Sequence, residues 1–594
     1  MMKHISFNID RLERVARMAT VGVLIAIISF SVHAQTEHLR DVIGASNYSP
    51  SYTLQSWPVT SPGGPRRDVL NEAAQELLDM GSRVIRVMLN ANPPAFYHYT
   101  ANPGYTVNPP AGLMSYAPEQ RITETAKTLQ YNDLFSKPFT TFIITIRANI
   151  PVKTSSGTEH IPAFSNHGSA ANATFGIAEG APLFDGLTSA ELAIEKEAIK
   201  RLATHFYTAF AGSNKTFVIT TGESDWIARE PYWGNQSFAI TQARIDAMKA
   251  WVQARQDGVN EARAQYGGSS NVKVYNAVEV NHVTDAINQI GLTMTNNAIP
   301  ALNCDLYGYT AYDVNDGAGV PDPLLLHRNL SYLSSKTPDS GPFGSRNIFL
   351  GEYLAGENNA AIKNIDLTRT GGDNAREVIR RMTETALGFG VRYALLWQVF
   401  GSDLLPGQSR GSMDQVPPPN SIFEGAWLRR PDGTYPPAYY YYQSLMSKSI
   451  RRLALRSSSG YYTSADEGGG YAIRANASSI NEWEWLTIVD RNGGSLTHGD
   501  SVNVLTWKGN YFMAWDNGGG YMDATSTHDL AWETFTIVKP ASTGLILTGE
   551  TIALRAGSGH YAYPQNGGGL GDLFFYANAP SIGPWQTFVT ANWP

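Results

Sequence analysis

The feature that most narrows the fold is a recurring alternation. From about residue 41 to 449, short apolar runs rich in β-branched residues alternate with longer segments of helical periodicity. The runs include Val84-Ile85-Arg86-Val87-Met88, Phe142-Ile143-Ile144-Thr145-Ile146, Phe217-Val218-Ile219-Thr220 and Val272-Lys273-Val274-Tyr275-Asn276. Three more follow: Cys304-Asp305-Leu306-Tyr307, Ile348-Phe349-Leu350-Gly351-Glu352 and Tyr393-Ala394-Leu395-Leu396-Trp397. Near-continuous apolar strands of this kind suit a parallel sheet covered on both faces. An early strand near Val42-Ile43-Gly44 brings the count to eight. Between them, residues 68–80 carry Leu70, Ala73, Ala74 and Leu77 at helical spacing, and residues 189–210 open on a capping-box-like Thr188-Ser189-Ala190-Glu191. Residues 376–387 place Val378, Ile379, Met382 and Leu387 on one side. Repeated βα units of this number predict an α/β fold, a closed (β/α)8 TIM barrel. A doubly wound open sheet is the structural competitor, but no Gly-rich phosphate fingerprint follows the first strand.

After Ser449 the pattern changes to short aromatic strands, Gly clusters and turns, and an internal repeat emerges. Gly460-Tyr461-Tyr462-Thr463 leads to Gly468-Gly469-Gly470, Gly509-Asn510-Tyr511-Phe512 to Gly518-Gly519-Gly520, and Gly559-His560-Tyr561-Ala562 to Gly567-Gly568-Gly569. Successive leading glycines lie 49 and 50 residues apart. Each unit closes on an acidic or amide residue two before a large apolar one: Glu484/Leu486, Glu533/Phe535 and Gln586/Phe588. Three all-β units of this size predict a β-trefoil whose hairpins share one core. The expected division is 1–34 signal peptide, 35–449 catalytic barrel and 450–594 trefoil.

The signal peptide rests on Lys3, Arg11, Arg14 and Arg17, an apolar run over residues 21–30, and Val32-His33-Ala34 before Gln35. The run is short for a bilayer span, an uncleaved anchor being the alternative. A secreted or periplasmic protein, by a bacterial route, is expected, with no membrane attachment after cleavage. The one cysteine, Cys304, allows no intramolecular disulfide. A net charge of -7 without a basic block argues against nucleic acid. The chain lacks a His-Glu-x-x-His pair and a P-loop. No metal and no organic cofactor is implied.

Two carboxylates stand out by position. Glu223 lies in Thr220-Thr221-Gly222-Glu223-Ser224-Asp225-Trp226, just past the fourth apolar strand, and Glu352 ends the seventh. A (β/α)8 barrel forms its active site at the carboxyl ends of its strands, so both face one mouth. Glycosidic cleavage needs such a pair, one to protonate the leaving oxygen and one to attack the anomeric carbon. Asp225 and Glu279, in Ala277-Val278-Glu279-Val280-Asn281-His282, are the substitutes for Glu223.

In these motifs the chain resembles the clan A retaining glycoside hydrolases, with an acid/base on strand four and a nucleophile on strand seven. The resemblance implies Glu352 as nucleophile and Glu223 as acid/base. It also implies Arg86 as the second-strand support of the nucleophile, Tyr309 as the sixth-strand tyrosine near it and Trp397 as the floor of the sugar subsite. The clan has Asn before the acid/base, whereas this chain has Gly222; Asn281 or His282 is expected to take that contact, and Trp226 is a further lining candidate. The repeat region resembles fascin-like and ricin-like β-trefoils, which beside hydrolase barrels hold polysaccharide; a purely structural cap is the alternative. Tyr471, Trp515 and Tyr563 are its candidate exposed aromatics. The function expected is a monomeric, secreted retaining O-glycosidase acting on a polysaccharide or oligosaccharide. A non-catalytic carbohydrate-binding protein and a transglycosylase are the alternatives. The sugar and linkage depend on loop shapes, above all in segments 92–118 and 154–182.

Overall fold

The computed structural model describes residues 36–48, 52, 54, 69–89, 112–146, 152–153, 159–160, 187–229, 239–339, 341–364, 374–408, 419–571 and 573–593. The expected signal segment, 1–34, and most of segments 92–118 and 154–182 lie outside these residues.

Eight parallel strands close into a barrel: β1 (Ile43–Asn47), β2 (Val84–Met88), β3 (Thr141–Thr145), β4 (Thr216–Glu223), β5 (Lys273–Val280), β6 (Leu306–Thr310), β7 (Ile348–Tyr353) and β8 (Ala394–Leu396). Each strand pairs with its sequence neighbours, and β8 pairs with β1. Helices cover the outside, among them α1 (Val69–Met80), α2 (Ser189–Ala209), α3 (Gln242–Ser270), α4 (Pro323–Ser334) and α5 (Asn374–Phe389). The Thr188 hydroxyl accepts from the Glu191 amide while Glu191 accepts from the Thr188 amide at 2.7 Å, so the capping box forms.

Strand alternation divides the barrel into an inner and an outer core. Val84, Ile143, Val218, Ala277, Leu306, Phe349 and Leu395 pack together inside. Two residues further along the same strands, the inward positions become Arg86, Thr145, Thr220, Glu279, Gly308 and Gly351. The lumen is therefore plugged with hydrocarbon below and polar above. Arg86 and Glu279 are wholly buried in the upper layer. Buried charges persist only when paired and hydrogen-bonded, so this layer demands mutual satisfaction among its members.

The C-terminal region is antiparallel. After α6 (Pro437–Leu445) come three units of four strands. The first holds β9 (Ser449–Ser457), β10 (Tyr462–Ala465), β11 (Ile473–Ala477) and β12 (Leu486–Asp490). The second holds β13 (Ser501–Leu505), β14 (Tyr511–Ala514), β15 (Tyr521–Ser526) and β16 (Thr534–Val538). The third holds β17 (Thr551–Ala556), β18 (Tyr561–Pro564), β19 (Phe575–Ala579) and β20 (Phe588–Ala591). The short strand Glu37–His38 joins this sheet by pairing with β9. The closing residue of each unit has one task. Glu484, Glu533 and Gln586 accept from the amides of Asn481, Leu530 and Gly583 at 2.8, 2.9 and 2.8 Å. Only an acceptor oxygen is needed there, so an amide replaces a carboxylate without loss. Leu486, Phe535 and Phe588 enter one shared core. The turn residues Glu467, Asp516 and Asn566 repeat as well, all in left-handed backbone at φ 56, 56 and 54°.

Candidate active site

Glu352 would not face the lumen if β7 kept strict alternation, because Gly351 already does. The pairing of β7 with β6 shifts register between Leu350 and Glu352, and this irregularity turns Glu352 inward. A matching shift lies between Thr220 and Glu223 on β4, after which Glu223 stands beside Glu279 of β5. Gly222 sits at this turn with φ 74°, a conformation that costs a side-chain-bearing residue. The glycine at this position therefore has a backbone reason.

The carboxylate of Glu352 is 4% exposed and has donors on both oxygens. Arg86 Nη1 lies 2.8 Å from its Oε1, and the Tyr312 hydroxyl donates to its Oε2 at 2.7 Å. Burial, opposed by Arg86 and reinforced by the charge of Glu279, pushes the Glu352 carboxyl up to about 7. Arg86 also donates to the Gly351 carbonyl at 2.7 Å and to the Thr145 hydroxyl at 3.2 Å. Its guanidinium lies 5.3 Å from the Tyr48 ring centre, and Tyr48 in turn packs against Trp397 at 5.3 Å. Trp397 donates from its indole to Asp403 at 2.9 Å. The Tyr312 hydroxyl is raised well above its ordinary value by burial first, then by the charge of Glu352; Glu223 and Asp403 add to the effect. The two glutamates thus act on one hydroxyl.

The expected residues separate into two groups. Arg86, Glu352 and Trp397 meet around Tyr312 and Tyr48, and the charge of Glu223 reaches Tyr312. Trp226, Asn281 and His282 form a second cluster where β4 and β5 end: the His282 ring lies 4.8 Å from Trp226, accompanied by Asp285 at 2.8 Å and Arg229 at 3.4 Å. The buried Asn281 Oδ1 has no hydrogen-bond partner among the described residues. Asp225, considered as a substitute acid, accepts from the amides of Asn281 and Met294 at 3.1 and 2.8 Å. It ties two loops together.

Tyr309 requires correction. Its position on β6 points outward into the core beneath the helices, where its hydroxyl donates to Asp313 and accepts from Asn329. Gly308 and Thr310 hold the inward positions, and the hydroxyl on Glu352 comes from Tyr312, beyond the strand. The run Tyr307-Gly308-Tyr309-Thr310-Ala311-Tyr312 offers three tyrosines, and period-2 alternation excludes the first two from the lumen. That signal was present in the sequence. In the repeat region Tyr471 and Trp515 are exposed and Tyr563 is half-buried. The residue just before each closing Glu or Gln, namely Trp483, Trp532 and Trp585, is exposed in all three units.

No family model matches the chain, and no curated protein matches it in sequence. Among solved structures, it is similar to a variant of GH5_18 from Bifidobacterium longum subsp. longum in complex with Manb1-4GlcNAc, at 14% identity over 68% of this chain and 77% of that one, with TM-score 0.40. A family 5 xyloglucanase from Paenibacillus pabuli in complex with ligand is similar at 13% identity over 68% of this chain and 98% of that one, with TM-score 0.35. The designed three-fold symmetric protein ThreeFoil is similar at 12% identity over 24% of this chain and 99% of that one, with TM-score 0.20. The barrel described above rests on its own strand order.

Proposed function

We propose that the chain is a retaining glycoside hydrolase acting on a polysaccharide by double displacement. Glu352 attacks the anomeric carbon as the bond to the leaving oxygen breaks, and Glu223 protonates that oxygen. Water then attacks the glycosyl-enzyme, giving its proton to Glu223 and freeing Glu352. The observation that carries this assignment is the pair of donors on Glu352. With Arg86 on Oε1 and Tyr312 on Oε2, the carboxyl group is aimed by two fixed groups that both favour its ionised form. Glu223, at the end of β4 and partly exposed, has access to solvent for the second step.

The C-terminal units are taken, in the same proposal, as a β-trefoil that holds glycan, and the protein as a secreted monomer. Screening β-linked polysaccharides with the purified chain identifies the substrate. A mechanism-based glycosyl inhibitor should then label Glu352, and Glu352→Gln should abolish turnover with the fold intact. Full activity in that variant, or inhibitor attached to another carboxylate, would refute the nucleophile assignment. Tight sugar binding without turnover or labelling would favour a lectin-like barrel.

A further inference from the structure

Arg86 is asked to serve more oxygens than it has hydrogens in that direction. Its Nη1 carries two, yet three acceptors lie within 3.2 Å: the Gly351 carbonyl at 2.7 Å, Glu352 Oε1 at 2.8 Å and Glu279 Oε1 at 3.2 Å. Glu279 is therefore a competitor of Glu352 for one donor. It is wholly buried and reaches no solvent, so it cannot meet a sugar.

The surroundings of Glu279 are built to hold a carboxylate. Thr310 donates to Oε1, and Thr220 approaches Oε2 at 3.4 Å. Its amide donates to the Thr221 hydroxyl at 3.2 Å. Space for the group comes from two glycines. A Cβ at Gly351 would lie 2.6 Å from Glu279 Oε1, and one at Gly308 would lie 2.9 Å from its Cγ. Strands β4, β6 and β7 thus all yield room or hydrogen bonds to a single acid on β5.

We propose that Glu279 is a positioning residue of the candidate site, drawing the Arg86 guanidinium partly away from Glu352 so that the attacking carboxylate is aimed without being locked in a full ion pair. The proposal rests on Glu352 being the nucleophile. Its consequence is a pH effect with a definite sign. The groups facing Glu352 are Arg86 from β2, Glu279 from β5, Tyr312 after β6 and Asp403 after β8, with Glu223 of β4 acting through Tyr312. Arg86 and Tyr312 favour the ionised form, while burial, Glu279 and Asp403 oppose it. Only ionised Glu352 attacks, so activity falls as pH drops through about 7. Removing the charge of Glu279 leaves Arg86 to Glu352 and extends activity to lower pH.

The test is Glu279→Gln, which keeps the volume and both threonine contacts, with Glu279→Asp as the conservative control. The acid limb of kcat/KM for Glu279→Gln is expected to move down by about one pH unit, the size of an effect from one nearby like charge. Glu279→Asp should return it toward the parent. A loss of activity with an unmoved limb would indicate structural support only and overturn the proposal. A second measurement needs neither substrate nor the Glu279→Gln variant: carboxyl 13C NMR of the glutamate-labelled parent, with Glu352 assigned through Glu352→Gln. Glu352 titrating near neutral pH supports the proposal, and titration in the ordinary carboxylate range overturns it. Inhibitor labelling of Glu352 separates the two failures. Labelling with an unmoved limb sinks only the role of Glu279; absence of labelling sinks the nucleophile assignment on which that role rests.

Discussion

Tyr312 and Arg86 grip opposite oxygens of one carboxylate, and their contributions differ in kind. Arg86 is wholly buried and tied to Thr145 and the Gly351 carbonyl, so its position is fixed by the barrel itself. Tyr312 stands past the end of β6 and reaches Glu352 with a single hydroxyl. A hydrogen bond to a charged group contributes about 1.5–3 kcal/mol. Tyr312→Phe should therefore lower kcat/KM about 10- to 100-fold, without loss of fold. The same change removes a donor that favours the ionised form, so the acid limb should move to higher pH, opposite to the shift expected for Glu279→Gln. Steady-state kinetics across pH checks both. An unchanged kcat/KM would show that the hydroxyl plays no part in the reaction. The sequence singles out Glu223 and Glu352 as candidates by their places at strand ends, and Arg86 and Trp397 through the resemblance. Tyr312 was missed because its neighbour Tyr309 stands on the strand proper, and the choice between them turns on which faces inward.

At the level of the strand, what distinguishes β4 and β7 is the break in their registers. Each carries an apolar lumen residue, then a polar or small one, and then an irregularity that brings a glutamate round to the mouth. Bulges next to active sites re-aim side chains in this way. On β4 the turn needs Gly222 at φ 74°. Gly222→Ala forces a side chain into left-handed backbone at a cost of about 1–3 kcal/mol, and turnover should fall further than stability because Glu223 loses its aim. Thermal denaturation and kinetics of the same preparation test this. A variant as stable and as active as the parent would mean that the turn tolerates a side chain. The strands themselves were readable from hydrophobic runs, since both faces of a parallel strand are buried. The register shifts were not, because a run buried on both faces carries no alternation whose interruption would mark a bulge.

Across the whole molecule, the barrel and the repeat region interlock. A Cβ on Gly388 of α5 would lie 2.3 Å from the Thr506 carbonyl oxygen, and one on Gly509 would lie 2.6 Å from Thr385 Cα. Arg381 donates to the Gly509 carbonyl at 3.1 Å, and Trp507 packs against His327 and Phe389. Leu505, Tyr511, Ile450 and Val489 belong to the same apolar cluster as the helices of the barrel. Glu37, at the start of the described chain, binds Arg452 of β9 as well as Arg346, which precedes β7. Gly388→Val should prise this contact open at about 1–3 kcal/mol, as overpacking does. Calorimetry is expected to show the repeat region melting earlier than the barrel, with new protease cuts near residues 506–509. One unchanged transition would show that the contact yields without cost. The sequence by itself determined the two classes of local structure, because side-chain periodicity and turn chemistry are properties of neighbours along the chain. It also determined the three-fold repeat and the two glutamates at strand ends. Only the tertiary structure decided that Glu279 lies behind Glu352, that the Tyr312 hydroxyl lands on Glu352, and that two regions share one core. Those facts depend on contacts between residues tens to hundreds of positions apart, which closing a barrel brings together and no local pattern records.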